Sequence, residues 1–193
     1  MASTETPSAP GPRALPDDRT VWQIDPKHTL VEFAAWHMMV TTVKGSFSGV
    51  SGTIRADEDD PTRSSVEVEI DAASLDTRED RRDAHLRSAD FLDVERHPSI
   101  TFRSTRVEQV APDRLRIVGA LAIRGTSREV VLDTTVNGRA RTPEGLEVAG
   151  FTADTEINRK DYGLNWNVAL EAGGVIIGDT VKIRLEIEAI KQE

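Results

Sequence analysis

The chain has 193 residues, 38% of them hydrophobic and 30% charged, with a formal net charge of -9 and a pI near 5.0. This predicts one soluble globular domain with a sizeable core, and the acidity argues against binding nucleic acid or anionic membrane surfaces unless a local basic patch overrides it. Cysteine is absent, which excludes disulfides, thiolate metal sites and thiol nucleophiles; no run of about 18 apolar residues exists, so no transmembrane helix and no stable membrane insertion are expected.

Residues 1–19 are rich in Pro, Ser and Ala and cannot bury a core, so they are expected to form a disordered tail before a domain at 20–193. They have neither a basic start nor an apolar stretch, so they do not read as a secretory signal, and a cytoplasmic location is the expectation for a chain that starts here. Val21–Ile24 reads as a first strand, ended by Asp25-Pro26. His28–His37 follows, with Val31, Phe33, Ala35 and His37 on one face. Val43–Phe47 and Gly52–Ala56 are strands around a Ser/Gly-rich bend, and DEDDPT is a charged turn. Ser64–Asp71 alternates Val66, Val68 and Ile70 with Glu67, Glu69 and Asp71, as in an antiparallel sheet with one wet face.

Arg81–Ser104 breaks the strand pattern. Ala84, Leu86, Ala89 and Leu92 recur at roughly helical spacing, Asp80 can cap the start, and Pro98 forces His97 to extend. A helix over Arg81–Asp93 is expected, then a strand over Ser99–Val107. Ala111-Pro112-Asp113 turns into Arg114–Ile123, Arg124-Gly125-Thr126 turns into Arg128–Val136, and Asn137-Gly138 marks a further turn. Leu146–Ile157 changes phase near Gly150, which predicts a bulge there, and Val181–Ile190 alternates strictly. The sum is an all-β chain of about eight strands with one short helix, and an antiparallel barrel is favoured because closure removes exposed edges. A lone one-sided helix in such a protein is expected at the barrel mouth.

Four segments also carry a family likeness. RDAHLRSADFLDVERHPSITFRS resembles the signature of the YceI-like family, also called polyisoprenoid-binding or lipid-binding YceI-like proteins. WQIDPKHTLVEF from Trp22, VGALAIRGTSREVVL from Val118 and INRKDYGLNWN from Ile157 agree in order and spacing. The resemblance covers Trp22 to the C-terminus. It implies a lipocalin-like antiparallel β-barrel holding a long isoprenoid or similar amphiphile, and no established catalytic residues. Many relatives are exported, from which this chain's start departs.

The candidate inward faces are Val31, Phe33, Ala35, Phe47, Ile100, Phe102, Leu121, Phe151, Ala153, Ile183 and Leu185. Pattern alone favours an ordinary packed core there; the resemblance favours an apolar tunnel. The candidate headgroup contacts at the mouth are His37, Arg82, Leu86, Phe91, Tyr162 and Trp166. Arg78, Arg81, Arg82 and Arg87 could meet a phosphate or phenolic group, or simply form a solvated face paired with neighbouring acids. Tyr162 and Trp166 suit a boundary between apolar and wet, or a structural corner held by Asn158, Asp161 and Gly163. The four histidines lack ligand spacing, so no metal is expected. No Gly-x-Ser-x-Gly, Walker or dinucleotide motif occurs. The resulting expectation is a non-enzymatic module that sequesters or carries an isoprenoid or isoprenoid quinone-like lipid, with no other cofactor. The rivals are an enzyme acting on such a substrate and a filled-core stress or interaction protein. A homodimer is left open.

Overall fold

A computed structural model describes residues 17–171 and 173–193. The expectation of a disordered tail over 1–19 therefore falls, but for Asp17–Arg19, outside the described residues. Arg19 is tied down, its Nη1 donating to the Arg63 carbonyl at 3.0 Å.

Eleven strands appear in chain order: β1 (Thr20–Ile24), β2 (Leu30–His37), β3 (Thr41–Phe47), β4 (Val50–Ala56), β5 (Ser65–Asp71), β6 (Leu75–Asp76), β7 (Ser99–Ala111), β8 (Arg114–Ile123), β9 (Thr126–Arg141), β10 (Glu147–Asn158) and β11 (Ile177–Lys191). They form eight walls of one closed antiparallel barrel. Three walls are broken strands. β1 and β2 pair with β4 and β3, and β4 and β3 pair in turn with β5 and β6. β7 to β11 complete the circuit. β11 closes it by pairing with both β2 and β1, with Leu185 opposite Val31 and Trp22 opposite Lys191.

The strand periods explain most of this. Val66, Val68 and Ile70 pack inward while Glu67 and Glu69 alternate outward, as one wet and one dry face require. The β8–β9 connection is a two-residue turn with both φ values positive, Arg124 at 49° and Gly125 at 73°, the hand that matches strand twist. The β2–β3 tip has the same sign at Met38 and Met39, and its Met39 and Val40 side chains stand in solvent.

Two expectations need correction. Asn137-Gly138 is not a turn: β9 runs through it, and the chain reverses at 142–146, where Thr142 N–H donates to the Leu146 carbonyl. Gly138 opposes Gly150 while Val136 opposes Phe151, so Asn137 is the extra residue of a bulge. The irregularity expected at Gly150 is thus present, but the strand that changes phase is β9. On β10 the inward series Ala149, Phe151, Ala153, Thr155, Ile157 is unbroken, and Leu146 and Val148 lie off it.

The helix α1 (Asp80–Arg87) is shorter than the Arg81–Asp93 expected. Glu79, not Asp80, caps it, accepting from the Arg81 and Arg82 N–H groups. It stops because Ser88 leaves helical geometry, its backbone N–H and hydroxyl both donating to the His85 carbonyl. Phe91 and Leu92 follow in tight turns, buried against the barrel. Asp83, also buried, accepts from the Thr77 N–H at 2.9 Å and hydroxyl at 2.5 Å, which fixes α1 to the end of β6.

Candidate functional site

The walls enclose a cavity of about 440 Å³. All eleven side chains expected on inward faces line it, and the structure adds the rest of the same alternations: Trp22 and Ile24 on β1, Val66 to Ile70 on β5, Val130 to Val136 on β9. The lumen stays open partly because two rings lie flat on its wall. Phe33 crosses Gly45 on the neighbouring strand, and Phe102 crosses Gly119. A Cβ at Gly45 would stand 2.3 Å from Phe33 Cζ, and one at Gly119 2.5 Å from Phe102 Cζ. Each glycine therefore gives up its side-chain volume to an aromatic ring from next door. Phe33 also meets Phe47, centroids 5.5 Å apart.

One end of the cavity is covered by α1, the turns after it and the chain after β10. Leu86, Phe91, Leu92 and Leu164 line this end. Trp166 meets the His85 ring edge-on at 4.5 Å and Phe91 at 5.5 Å, while His85 and Phe91 make a further edge contact. Of the expected mouth residues, then, Leu86 and Phe91 line this end, and Trp166, outside the lining, packs on Phe91.

The other three stand apart from the lumen. His37 is half-buried at the end of β2, opposite Ile177. Tyr162 packs in the core, where burial pushes its phenol above the ordinary value, and is not part of the cavity wall. Arg82 is already engaged: its Nε donates to the Thr77 hydroxyl at 2.7 Å and its Nη2 to the Thr77 carbonyl at 2.8 Å. Arg87 likewise donates to the carbonyls of Ala73, at 2.9 Å, and Leu75. These two members of the basic cluster are staples between helix and barrel.

Arg159 plays the same part on a larger scale. It lines the cavity yet is only 3% exposed. Its Nε donates to the Gly178 carbonyl at 2.9 Å, Nη1 to those of Leu164 and Trp166, and Nη2 to that of Ile177 at 3.4 Å. The nearest carboxylate, Asp179, lies at 3.6 Å and also holds Lys160 at 2.9 Å. Burial lowers the Arg159 pKa from its ordinary value, Asp179 acting against that. The local chain is built for this: Asn158 caps a 3₁₀ turn at Arg159–Tyr162, and Gly163 ends it at φ 75°.

The opposite end is polar. Asp57, Glu58, Ser64, Gln109 and Arg139 reach the lining there, with Pro61 and Pro112. Trp22, 1% exposed, packs between Ala149 and Ala189 just inside. The Arg139 guanidinium stands 5.0 Å above its ring and 2.7 Å from a Glu58 oxygen. Sequence reasoning missed this group. Trp22 was legible from its alternation with Gln23; Arg139 was not, because the extra residue at Asn137 reverses the phase that put Val136 inward.

Among the described residues, one grouping has the types and separations of metal ligands: Asp25, His28 and Glu188, on the outer surface. His28 Nδ1 lies 2.8 Å from Asp25 and 3.4 Å from Glu188. The hydrogen bond to Asp25, then the Glu188 charge, raise the His28 pKa above its ordinary value, favouring the protonated imidazole between the two carboxylates. The pairing of Asp25 with Glu188 is tertiary and no sequence spacing foretells it.

The YceI-like domain matches residues 22–189. A UPF0312 protein of Staphylococcus aureus is 35% identical over 170 residues, 88% of this chain and 96% of that protein. The Campylobacter jejuni YCEI protein superposes with a TM-score of 0.71 at 28% identity, covering 82% of this chain and 90% of the other. A polyisoprenoid binding domain from Saccharophagus degradans superposes with a TM-score of 0.63 at 15% identity, over 89% and 98% of the two chains.

Proposed function

The chain belongs to the YceI-like family, and from that premise we propose that it binds, and sequesters or carries, a long-chain isoprenoid or similar amphiphilic lipid, the apolar tail lying inside the barrel. The observation that carries the reading is the cavity. Its volume of about 440 Å³ falls in the usual small-ligand range of about 300–1,000 Å³. Its wall is aliphatic and aromatic over most of its length. Such a wall offers a tail about 25 cal/mol for each Å² removed from water, before ordering costs. The solved domain from Saccharophagus degradans that shares the fold is described as polyisoprenoid binding, which is consistent with this use of the barrel. A filled-core scaffold is disfavoured by the room that Gly45 and Gly119 leave along the wall.

The test couples binding to folding. Ala153 lines the lumen opposite Leu185 on the neighbouring strand. Ala153→Trp should abolish binding of a fluorescent prenyl or fatty-acyl probe while the protein still folds with a cooperative melt. If wild-type protein binds no such probe, and native mass spectrometry of freshly purified material carries no extractable lipid, the reading is wrong. Overpacking a filled core would instead cost about 1–3 kcal/mol with no binding to lose.

A further inference from the structure

We propose that Arg139 is the headgroup contact of this cavity, and that it takes an anionic group, a phosphate or carboxylate at the end of the apolar chain, in exchange for Glu58. The inference rests on the lipid-binding reading and adds the ligand's polarity and orientation: tail toward α1, headgroup at the opposite end.

Three observations carry it. First, the backbone is shaped to aim this side chain. In unbroken alternation the inward series Val130, Leu132, Thr134, Val136 would continue at Gly138 and turn Arg139 outward; the bulge at Asn137 shifts the phase, and Arg139 reaches the lining. Bulges are a recognised means of re-aiming a side chain beside a functional site. Second, the guanidinium carbon stands 5.0 Å from the centroid of the Trp22 ring, at the inner edge of the polar rim. A planar fork so placed suits two-point contact with an oxyanion. Third, its bond to the protein is exchangeable. The ion pair with Glu58 joins side chains that are 53% and 41% exposed, and pairs of that kind hold weakly. Asp57 and Ser64 share the rim, and Glu147, which stands opposite Arg141 on β9, is occupied by Lys191 at 2.9 Å.

Three arginines at the helix end offer no such site. Arg82 and Arg87 donate to Thr77, Ala73 and Leu75, and Arg159 spends its donors on four carbonyls.

A C15 prenyl monophosphate and the corresponding prenyl alcohol share a tail and differ in the headgroup, so their affinities separate the two claims. Wild type should prefer the phosphate by about tenfold, the worth of one charged hydrogen-bonded contact. Arg139→Gln should erase that preference and leave the alcohol's affinity unchanged, with Arg139→Lys intermediate. Glu58→Gln should tighten the phosphate alone. Equal binding of both compounds by wild type, or an Arg139→Gln variant that weakens both alike, overturns the headgroup assignment while the carrier reading stands. If neither compound binds wild type, both fall.

Discussion

Two groups of arginines, one at each end of the barrel, are used in opposite ways. At the helix end Arg82, Arg87, Arg124 and Arg159 all donate to main-chain carbonyls, Arg124 reaching Ala89 at 2.7 Å and Gly163 at 3.0 Å. Such bonds fix loops that lack ladder partners, and nothing in solution competes for them cheaply. At the far end Arg139 and Arg141 face the half-exposed carboxylates of Glu58 and Glu147, and pairs of that kind hold weakly. A cation among carbonyls is a fastener; a cation opposite an exposed carboxylate is a contact waiting for a better partner.

The sharpest way to break this comparison is Arg159→Leu. Four carbonyls lose their donor, and the covering segment loses its anchor. The expected cost is about 3 kcal/mol or more in chemical denaturation. A loss below about 1 kcal/mol would mean that the segment is held by its packing on α1. Gly45→Ala should come next, at about 1–3 kcal/mol, because its Cβ cannot coexist with the Phe33 ring. It should also weaken probe binding, since the displaced ring has only the lumen to enter. Glu58→Gln should change stability by less than about 1 kcal/mol at the opposite end, the signature of an exchangeable pair.

The smallest effect concerns pH, at the Asp25–His28–Glu188 trio outside both ends. His28 is raised, by the bond to Asp25 and then the Glu188 charge. Its contribution is fully present below pH 6.5, the ordinary value, and fades as pH rises through the raised one. Asp25 is lowered, by its bonds to the Lys27 N–H and His28, so its share fades only in acid, below the ordinary 3.8. The melting temperature should therefore slip on the alkaline side of pH 6.5, and His28→Gln should flatten that slope. An unchanged slope would assign it to another group.

The walls were legible because strands with one wet face must alternate, and Val66–Ile70 or Val181–Ala189 can be read directly. The covered end was partly legible: Leu86, Phe91 and Trp166 do gather there. The length of α1 was misjudged because Leu92 fits a helical period by chance and is buried by a turn instead. The polar end was not legible. Asn-Gly is a strong hairpin signal, and only the register across β10 shows that here it makes a bulge. Arg82 and Arg159 show a related limit: charge on a helix or turn gives no hint that main-chain carbonyls have claimed it.

The circuit of walls has a consequence for how the protein is made. Trp22 meets Lys191, so the first strand of the ring finds its last neighbour almost a full chain length later. Long-range closure of that kind slows folding and leaves β1 and β2 with an unpaired edge until β11 emerges from the ribosome. During synthesis the future cavity is an open, half-apolar trough. A ligand bound at that stage would not have to pass either end, because the last strand would close over it.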